Sequence, residues 1–249
     1  MKNSLLSDLV IRKGMTLSFQ NERMVELKLS DPIGKGTMTG YLLSSHVVVC
    51  LVDFACEECP NMMPVSQFSG NDILEHIKNV TKTNSVPRST ENSDADKWLS
   101  INYCIEGRCE TDIPHAGVAV VSETDVCVSF SHTSDEGYEP PCSFRYPLAR
   151  YVGIEVFVCA EVLNEPEFSL LREPDNDVVY IWSQVGPSAI FSGDKELIAQ
   201  MKRASSAAQS SDWVQAKLAV LELLWTLSRR DYNLAKPGTL LTLAQLHMA

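Results

Sequence analysis

The sequence predicts an α+β protein: a β-domain of barrel or sandwich type, followed by a helical region. Three observations carry this expectation. Short apolar runs with turn residues every eight to twelve positions or so fill the stretch from Trp98 to Phe130. Tyr151–Val158 extends that series, with Ile154, Val156 and Val158 alternating with Glu155, Phe157 and Cys159, as suits a strand with one buried side. Beyond Cys159 the apolar spacing changes to three and four, most clearly in Val214, Leu218, Leu221, Leu224 and Trp225.

Taken in order, Ser4–Met15 places Leu5, Leu6, Leu9 and Val10 on one side of a short helix that Gly14 would end. Met24–Leu29 alternates as a strand, and Asp31-Pro32 with Gly34-Lys35-Gly36 marks a loop. That glycine pair lacks the lysine-serine/threonine that a phosphate-binding loop needs, so it reads as a turn. His46–Phe54 is β-branched and apolar, a buried strand. Residues 66–96 are polar: Asn71–Val80 carries a helical spacing of Ile73, Leu74 and Ile77, and residues 81–96 have too few apolar groups to offset ordering entropy, which predicts a mobile loop.

Trp98–Glu106 alternates cleanly, with Leu99, Ile101, Tyr103 and Ile105 on one face and Ser100, Asn102, Cys104 and Glu106 on the other. Gly107 reads as a turn and Arg108–Ile113 as the returning strand; Val118–Val121 and Asp125–Phe130 follow as short strands, and Ser131–Pro141 as a loop. Phe144–Val158 is the seam between the β part and the helices. Val162–Leu171 is partly helical and interrupted by Pro166, Val178–Trp182 is short and apolar, and Gly186-Pro187 turns the chain. Asp194 is an N-cap before Leu197, Ile198, Met201, Ala204 and Ala208, and a second helix begins near Asp212. The apolar surface of the second helix is wider than one stripe, so it is covered from two sides: by its own domain and a second subunit, or wholly inside the domain. Pro237-Gly238 breaks the chain before Leu240–Ala249.

A net charge of −11 disfavours general affinity for nucleic acid or anionic membranes, and Lys202-Arg203 and Arg229-Arg230 make no basic patch. No apolar run has the length of a membrane span and the N-terminus is a poor signal peptide, so a cytoplasmic location is expected. The eight cysteines then read as free thiols. Cys56 and Cys59 form a Cys-x-x-Cys pair, read first as incidental thiols and second as half a zinc site completed by Cys104 and Cys109. A redox role is disfavoured because Glu57 and Glu58 would raise the thiol pKa. His46, His76, His115, His132 and His247 are too scattered for the paired histidines of a metal-dependent cupin, and neither a Gly-x-Ser-x-Gly nor a His-Glu-x-x-His motif occurs. The expectation is therefore a non-enzymatic chain without metal or cofactor, with a metal-dependent cupin enzyme as the alternative.

Three segments resemble the N-terminal half of AraC/XylS-family transcriptional regulators. Asn102-Tyr103-Cys104-Ile105-Glu106-Gly107-Arg108 is similar to a strand-turn motif of that group. Phe144, Pro147, Leu148, Tyr151, Gly153 and Ile154 match its Phe-x-x-Pro-Leu-x-x-Tyr-x-Gly-Ile segment, and Lys217–Leu224 its Lys-Leu-x-x-Leu-Glu-Leu-Leu helix. The resemblance implies an N-terminal arm over 1–37, a cupin-like β-barrel or jelly roll that senses a small-molecule effector over 38–159, a helical dimerisation region over 160–238, and at 239–249 the start of a connector to a helix-turn-helix domain not present in this chain. Promoter DNA would be reached only through that domain. Tyr103, Glu106, Arg108 and Arg150 are the candidate effector contacts, and Val214, Leu218, Leu221 and Trp225 the candidate homodimer contacts. A further alternative is a stand-alone modulator that forms mixed dimers with full-length regulators.

Overall fold

The computed structural model describes residues 9–58, 97–113, 117–132, 144–172, 188–232 and 236–237. They form one antiparallel sheet with a helix hairpin on one face. The strands are β1 (Leu9–Arg12), β2 (Met15–Asn21), β3 (Met24–Leu29), β4 (Lys35–Leu42), β5 (Val47–Ala55), β6 (Lys97–Ile113), β7 (Gly117–Ser122), β8 (Asp125–His132), β9 (Phe144–Arg145), β10 (Tyr151–Cys159), β11 (Ser188–Ser192) and β12 (Lys236–Pro237). Two 3-10 segments, Ala160–Asn164 and Pro166–Arg172, follow β10, and helices α1 (Lys195–Gln209) and α2 (Trp213–Ser228) follow β11.

The strand order is β1-β2-β3-β4-β5-β10-β6-β8-β11-β12, with β7 and β9 paired to the far half of β6. The cupin-like closed barrel is therefore not what the described strands make: β1 and β12 lie at opposite ends of the order and the sheet is open. The α+β class stands. The helix expected over Ser4–Met15 is corrected, since Leu9–Arg12 is a strand paired to β2. The helix at Asn71–Val80, the loops at 81–96 and 133–141, the apolar run Val178–Trp182, the turn at Gly186-Pro187, Cys59, His76, His115 and the connector at 239–249 lie outside the described residues.

β10 is the central strand, paired along nearly its whole length to β5 on one side and β6 on the other. Its alternation sends Ile154, Val156 and Val158 to the helix-covered face, where they join Val47, Val49, Leu99, Ile101, Val126 and Val128 under Leu197, Met201, Val220, Leu223, Leu224 and Leu227 of α1 and α2. Small residues on the hairpin, Ala204, Ala208, Ala216 and Ala219, are buried in the same cluster and permit close approach. Asp194 caps α1 by accepting from the Glu196 and Leu197 amides, and Asp212 caps α2 by accepting from Gln215. Inside the hairpin, the Gln200 amide donates to the Thr226 hydroxyl at 2.7 Å.

The opposite face of the sheet has its own cluster. Met15, Leu27, Leu29, Met38, Val48, Val52, Phe54, Tyr146, Tyr151 and Ile190 share it with Cys50, Cys56, Cys104, Cys109 and Cys127. The turn expected at Gly107 is corrected to an interruption within one long strand. β6 runs through it, Gly107 takes φ +93°, and its missing Cβ would stand 2.2 Å from the Arg150 carbonyl oxygen. The adjoining register shift pairs Val152 with Glu106 but Gly153 with Cys104, so Ile105 is skipped. Ile105 consequently leaves the face of Leu99, Ile101 and Tyr103 and is 40% exposed. The same shift returns Cys109 to the cluster that holds Cys104.

Candidate functional site

The chemistry-bearing groups of the opposite face lie in two adjacent cross-strand rows. Glu155 of β10 is paired with Cys50 of β5 on one side and Asn102 of β6 on the other, and Asn102 with Cys127 of β8. In the next row Phe157 stands between Val48 and Ser100, and Ser100 is paired with Ser129. Side chains directly opposite on one face of a sheet are neighbours, so this register alone gathers a carboxylate, an amide, two hydroxyls and two thiols from four strands.

Hydrogen bonds organise the first row. The Asn102 amide nitrogen donates to Glu155 Oε1 at 3.1 Å, and the Tyr151 hydroxyl donates to Asn102 Oδ1. Both bonds agree on which way the amide points, because a phenol donates and a carboxylate accepts. Tyr151 reaches Asn102 by lying across Gly153: a Cβ there would be 2.6 Å from the Tyr151 hydroxyl oxygen and 2.9 Å from two ring carbons. Tyr146 stacks on its ring, with centroids 4.7 Å apart and planes within 9°.

Desolvation sets the protonation states. It pushes the Glu155 carboxyl up to about 7, although the residue is only half-buried. Ser100, Asn102, Ser129 and Phe157 are likewise half-buried, whereas Val52, Phe54, Cys104 and Tyr151 further along the same face are fully buried. Burial raises Tyr151 well above its usual value, and Cys50 too, with a further push from Glu155. Burial also carries Cys127 to about 11 and Cys104 to about 12. These thiols stay protonated at neutral pH, which disfavours nucleophilic work. Cys50, Cys56, Cys104, Cys109, Cys127 and Cys159 are all buried.

A second cluster lies at the other end of β5. In the β4–β5 turn, His46 Nδ1 is 2.7 Å from Glu165 Oε1 and Nε2 is 3.1 Å from Glu161 Oε2. The hydrogen bond to Glu165 raises the His46 pKa against an opposing desolvation, and both carboxylate charges add to the rise. Burial alone would raise Glu165; hydrogen bonds from His46 and Ser44 and the nearby cations outweigh it and lower its pKa. The cluster ties the turn to the 3-10 segments, which α2 holds in turn through Lys217 and Glu167 at 2.9 Å.

The four residues expected to contact an effector fall in three places. Tyr103 lies under the helices, with Lys202 Nζ 5.6 Å from its ring centroid. Glu106 and Arg150 meet each other at 3.4 Å, and Arg150 also pairs with Asp53, at the exposed rim. Arg108 pairs with Glu110 at 2.7 Å, and Arg145 approaches the same carboxylate at 3.9 Å. None of the four joins Glu155 or Asn102. The signal for these two was in the strand pattern: a carboxylate flanked by Ile154 and Val156, and an amide flanked by Ile101 and Tyr103, both at mid-strand on the polar side. The four expected dimer residues do share one face of α2: Val214, Leu218 and Trp225 are 71%, 48% and 40% exposed, and Leu221 is partly buried beside them.

Among the described residues, no three or more His, Cys, Asp or Glu side chains are placed to hold a metal ion, and no helix is long and apolar enough to cross a membrane. The fold and the site thus define an open antiparallel sheet with a helix hairpin on one face and a cross-strand row of polar groups on the other. No protein-family model matches the chain, and no curated protein matches it in sequence. Among solved structures, the AraC-like transcriptional activator CuxR superposes with a TM-score of 0.43 at 11% identity, over 85% of this chain and 63% of that one. This chain therefore spans a little under two thirds of that structure's length.

Proposed function

We propose that this chain is a ligand-sensing and dimerising module of a bacterial transcription regulator, and that it acts by binding rather than catalysis. The observation that carries the sensing role is the hydrogen-bonded Glu155–Asn102–Tyr151 chain on the sheet face away from the helices: oriented polar groups beside apolar ones are what a small-molecule site needs. The regulator assignment rests on the three sequence segments that resemble AraC/XylS regulators. Dimerisation rests on the apolar stripe Val214, Leu218, Leu221 and Trp225, for which a second copy of the chain is the proposed occupant.

β10 supplies the coupling. Glu155 faces away from the hairpin, while its neighbours Ile154 and Val156 pack beneath α1 and α2. A ligand that shifts β10 by a fraction of an ångström changes the seat of the hairpin, so the two sites bias one element. The test combines a metabolite screen by thermal shift with sedimentation velocity. Binding that is lost in Asn102→Ala and that changes the monomer–dimer balance supports the proposal. A chain that binds nothing and stays monomeric at all concentrations rules it out.

A further inference from the structure

His46 stands between two carboxylates of a separate stretch of chain. Its Nδ1 is 2.7 Å from Glu165 Oε1 and its Nε2 is 3.1 Å from Glu161 Oε2. Both contacts are hydrogen bonds only when both ring nitrogens carry protons, because a carboxylate accepts and a neutral imidazole has a single N–H. The arrangement therefore fits the imidazolium. The hydrogen bond to Glu165 and both carboxylate charges favour that form against desolvation. The turn also fixes the ring: Ser44 Oγ accepts from the His46 backbone amide at 3.1 Å, and Ser45 Oγ lies 3.4 Å from Nδ1. From β10, the Cys159 amide donates to the His46 carbonyl at 2.9 Å. Among the described residues, the charged groups acting on the ring are Glu161 and Glu165, and Lys217 of α2 acts on Glu165.

The two contacts are unequal. Glu165 makes the shorter one, is 16% exposed and also accepts from the Ser44 hydroxyl. Glu161 makes the longer one and is 29% exposed, so water replaces its partner more readily. We propose that His46 is a proton-operated latch on the first 3-10 segment: doubly protonated it holds Glu161 and Glu165 against the β4–β5 turn, and on losing its Nε2 proton to solvent it keeps Glu165 and lets Glu161 go. The remaining N–H stays on Nδ1, facing Glu165. The bare Nε2 lone pair then faces the Glu161 carboxylate, and their repulsion frees the start of Ala160–Asn164. The next 3-10 segment, Pro166–Arg172, holds α2 through Glu167 and Lys217. The latch thus acts on the stretch of chain between β10 and that tie to the hairpin, and it does not depend on the ligand-sensing reading.

Nuclear magnetic resonance of the full chain tests this from about pH 5 to pH 9, the range in which histidine changes charge. The ring nitrogens of His46 are expected to pass from doubly protonated to the Nδ1–H tautomer. Across the same midpoint the amide of Glu165, which donates to the Val162 carbonyl and closes the first segment, should lose about tenfold in exchange protection after correction for the intrinsic rate. The Phe168 amide, which donates to the Glu165 carbonyl, should keep its protection, because Glu165 stays held. Glu161→Gln should remove the loss: its carboxamide accepts from Nε2–H at low pH and donates to bare Nε2 at high pH, so the contact persists in both states. His46→Gln should remove the loss too, having no charge to change. Should that variant fold poorly, the wild-type titration and Glu161→Gln suffice. An Nε2–H tautomer above the midpoint, unchanged protection at Glu165 through the His46 titration, or the same loss in Glu161→Gln would each overturn the latch.

Discussion

Asn102 and Glu155 face each other across the β6–β10 ladder, amide nitrogen to carboxylate oxygen at 3.1 Å, and Tyr151 holds the far end of the same amide. Removing the middle member strands both ends. Asn102→Ala is expected to cost about 1–3 kcal/mol, because it leaves the buried Tyr151 hydroxyl without an acceptor. Adding Tyr151→Phe should recover part of that loss, since the orphaned donor goes with it. Urea unfolding of the two single variants and the double variant measures the coupling; simple additivity would show that the bond contributes nothing.

Gly153 exists to let Tyr151 lie flat. Gly153→Ala drives a methyl into a ring that the Tyr146 stack prevents from swinging away. A loss of about 1–3 kcal/mol is expected from this overpacking. Tyr151→Phe in the same background should relieve it only partly, because two ring carbons remain within 2.9 Å of the new methyl position. Thermal melts of the three variants read this directly.

The His46 clasp should make stability depend on pH in both directions. His46 has a folded-state pKa raised above 6.5, so its contribution is fully present below pH 6.5 and fades as pH rises through the folded value. Glu165 has a pKa lowered below 4.5, so its contribution is present above pH 4.5 and fades as pH falls through the folded value. The clasp is therefore strongest between pH 4.5 and 6.5. Wild type minus His46→Gln, compared by urea midpoint across pH 4 to 9 or so, should peak in that window; a flat difference would show the clasp to be inert.

Leu218→Glu places a charge at the centre of the exposed stripe on α2. In the dimer reading it gives a folded monomer by sedimentation, with unchanged far-ultraviolet circular dichroism, because Leu218 is not among the buried residues of the helix. Leu223→Glu is the contrast: it charges a fully buried position and should unfold the protein. If Leu218→Glu leaves the association state of the wild type untouched, the stripe is not the interface.

Much of the fold was legible. Met24–Leu29 is a strand at its expected bounds, and Tyr151–Val158, His46–Phe54 and Asp125–Phe130 are strands to within two residues: alternation marks a strand with one buried face, as in Tyr151–Val158, and a β-branched apolar run marks a buried one, as in His46–Phe54. Asp194 caps the helix it was expected to cap, and the second helix begins just after Asp212, near where it was expected. Ser4–Met15 misled because Leu5, Leu6, Leu9 and Val10 near a glycine suit a helix or an edge strand equally; only the pairing of Leu9–Arg12 with β2 decides between them. Gly107 misled for a related reason: φ +93° suits a hairpin turn and a bulged strand alike, and the neighbouring β10 backbone selects the second.

The candidate site was half legible. The polar face of Ser100, Asn102 and Cys104 was read from alternation, yet the effector contacts were sought at Tyr103, Glu106, Arg108 and Arg150, which the resemblance and the ordinary habits of charged groups favoured. The sequence by itself determined much of the strand pattern, the two helices and the Asp194 cap, since each depends on neighbours a few residues away; that the apolar stripe on α2 faces outward came from the tertiary structure. Only the tertiary structure decided that the sheet is open, that β10 lies between β5 and β6, and that Glu155 therefore meets Asn102 and Cys50. Cross-strand register joins residues 53 and 105 positions apart, and no local periodicity encodes which strands will be neighbours.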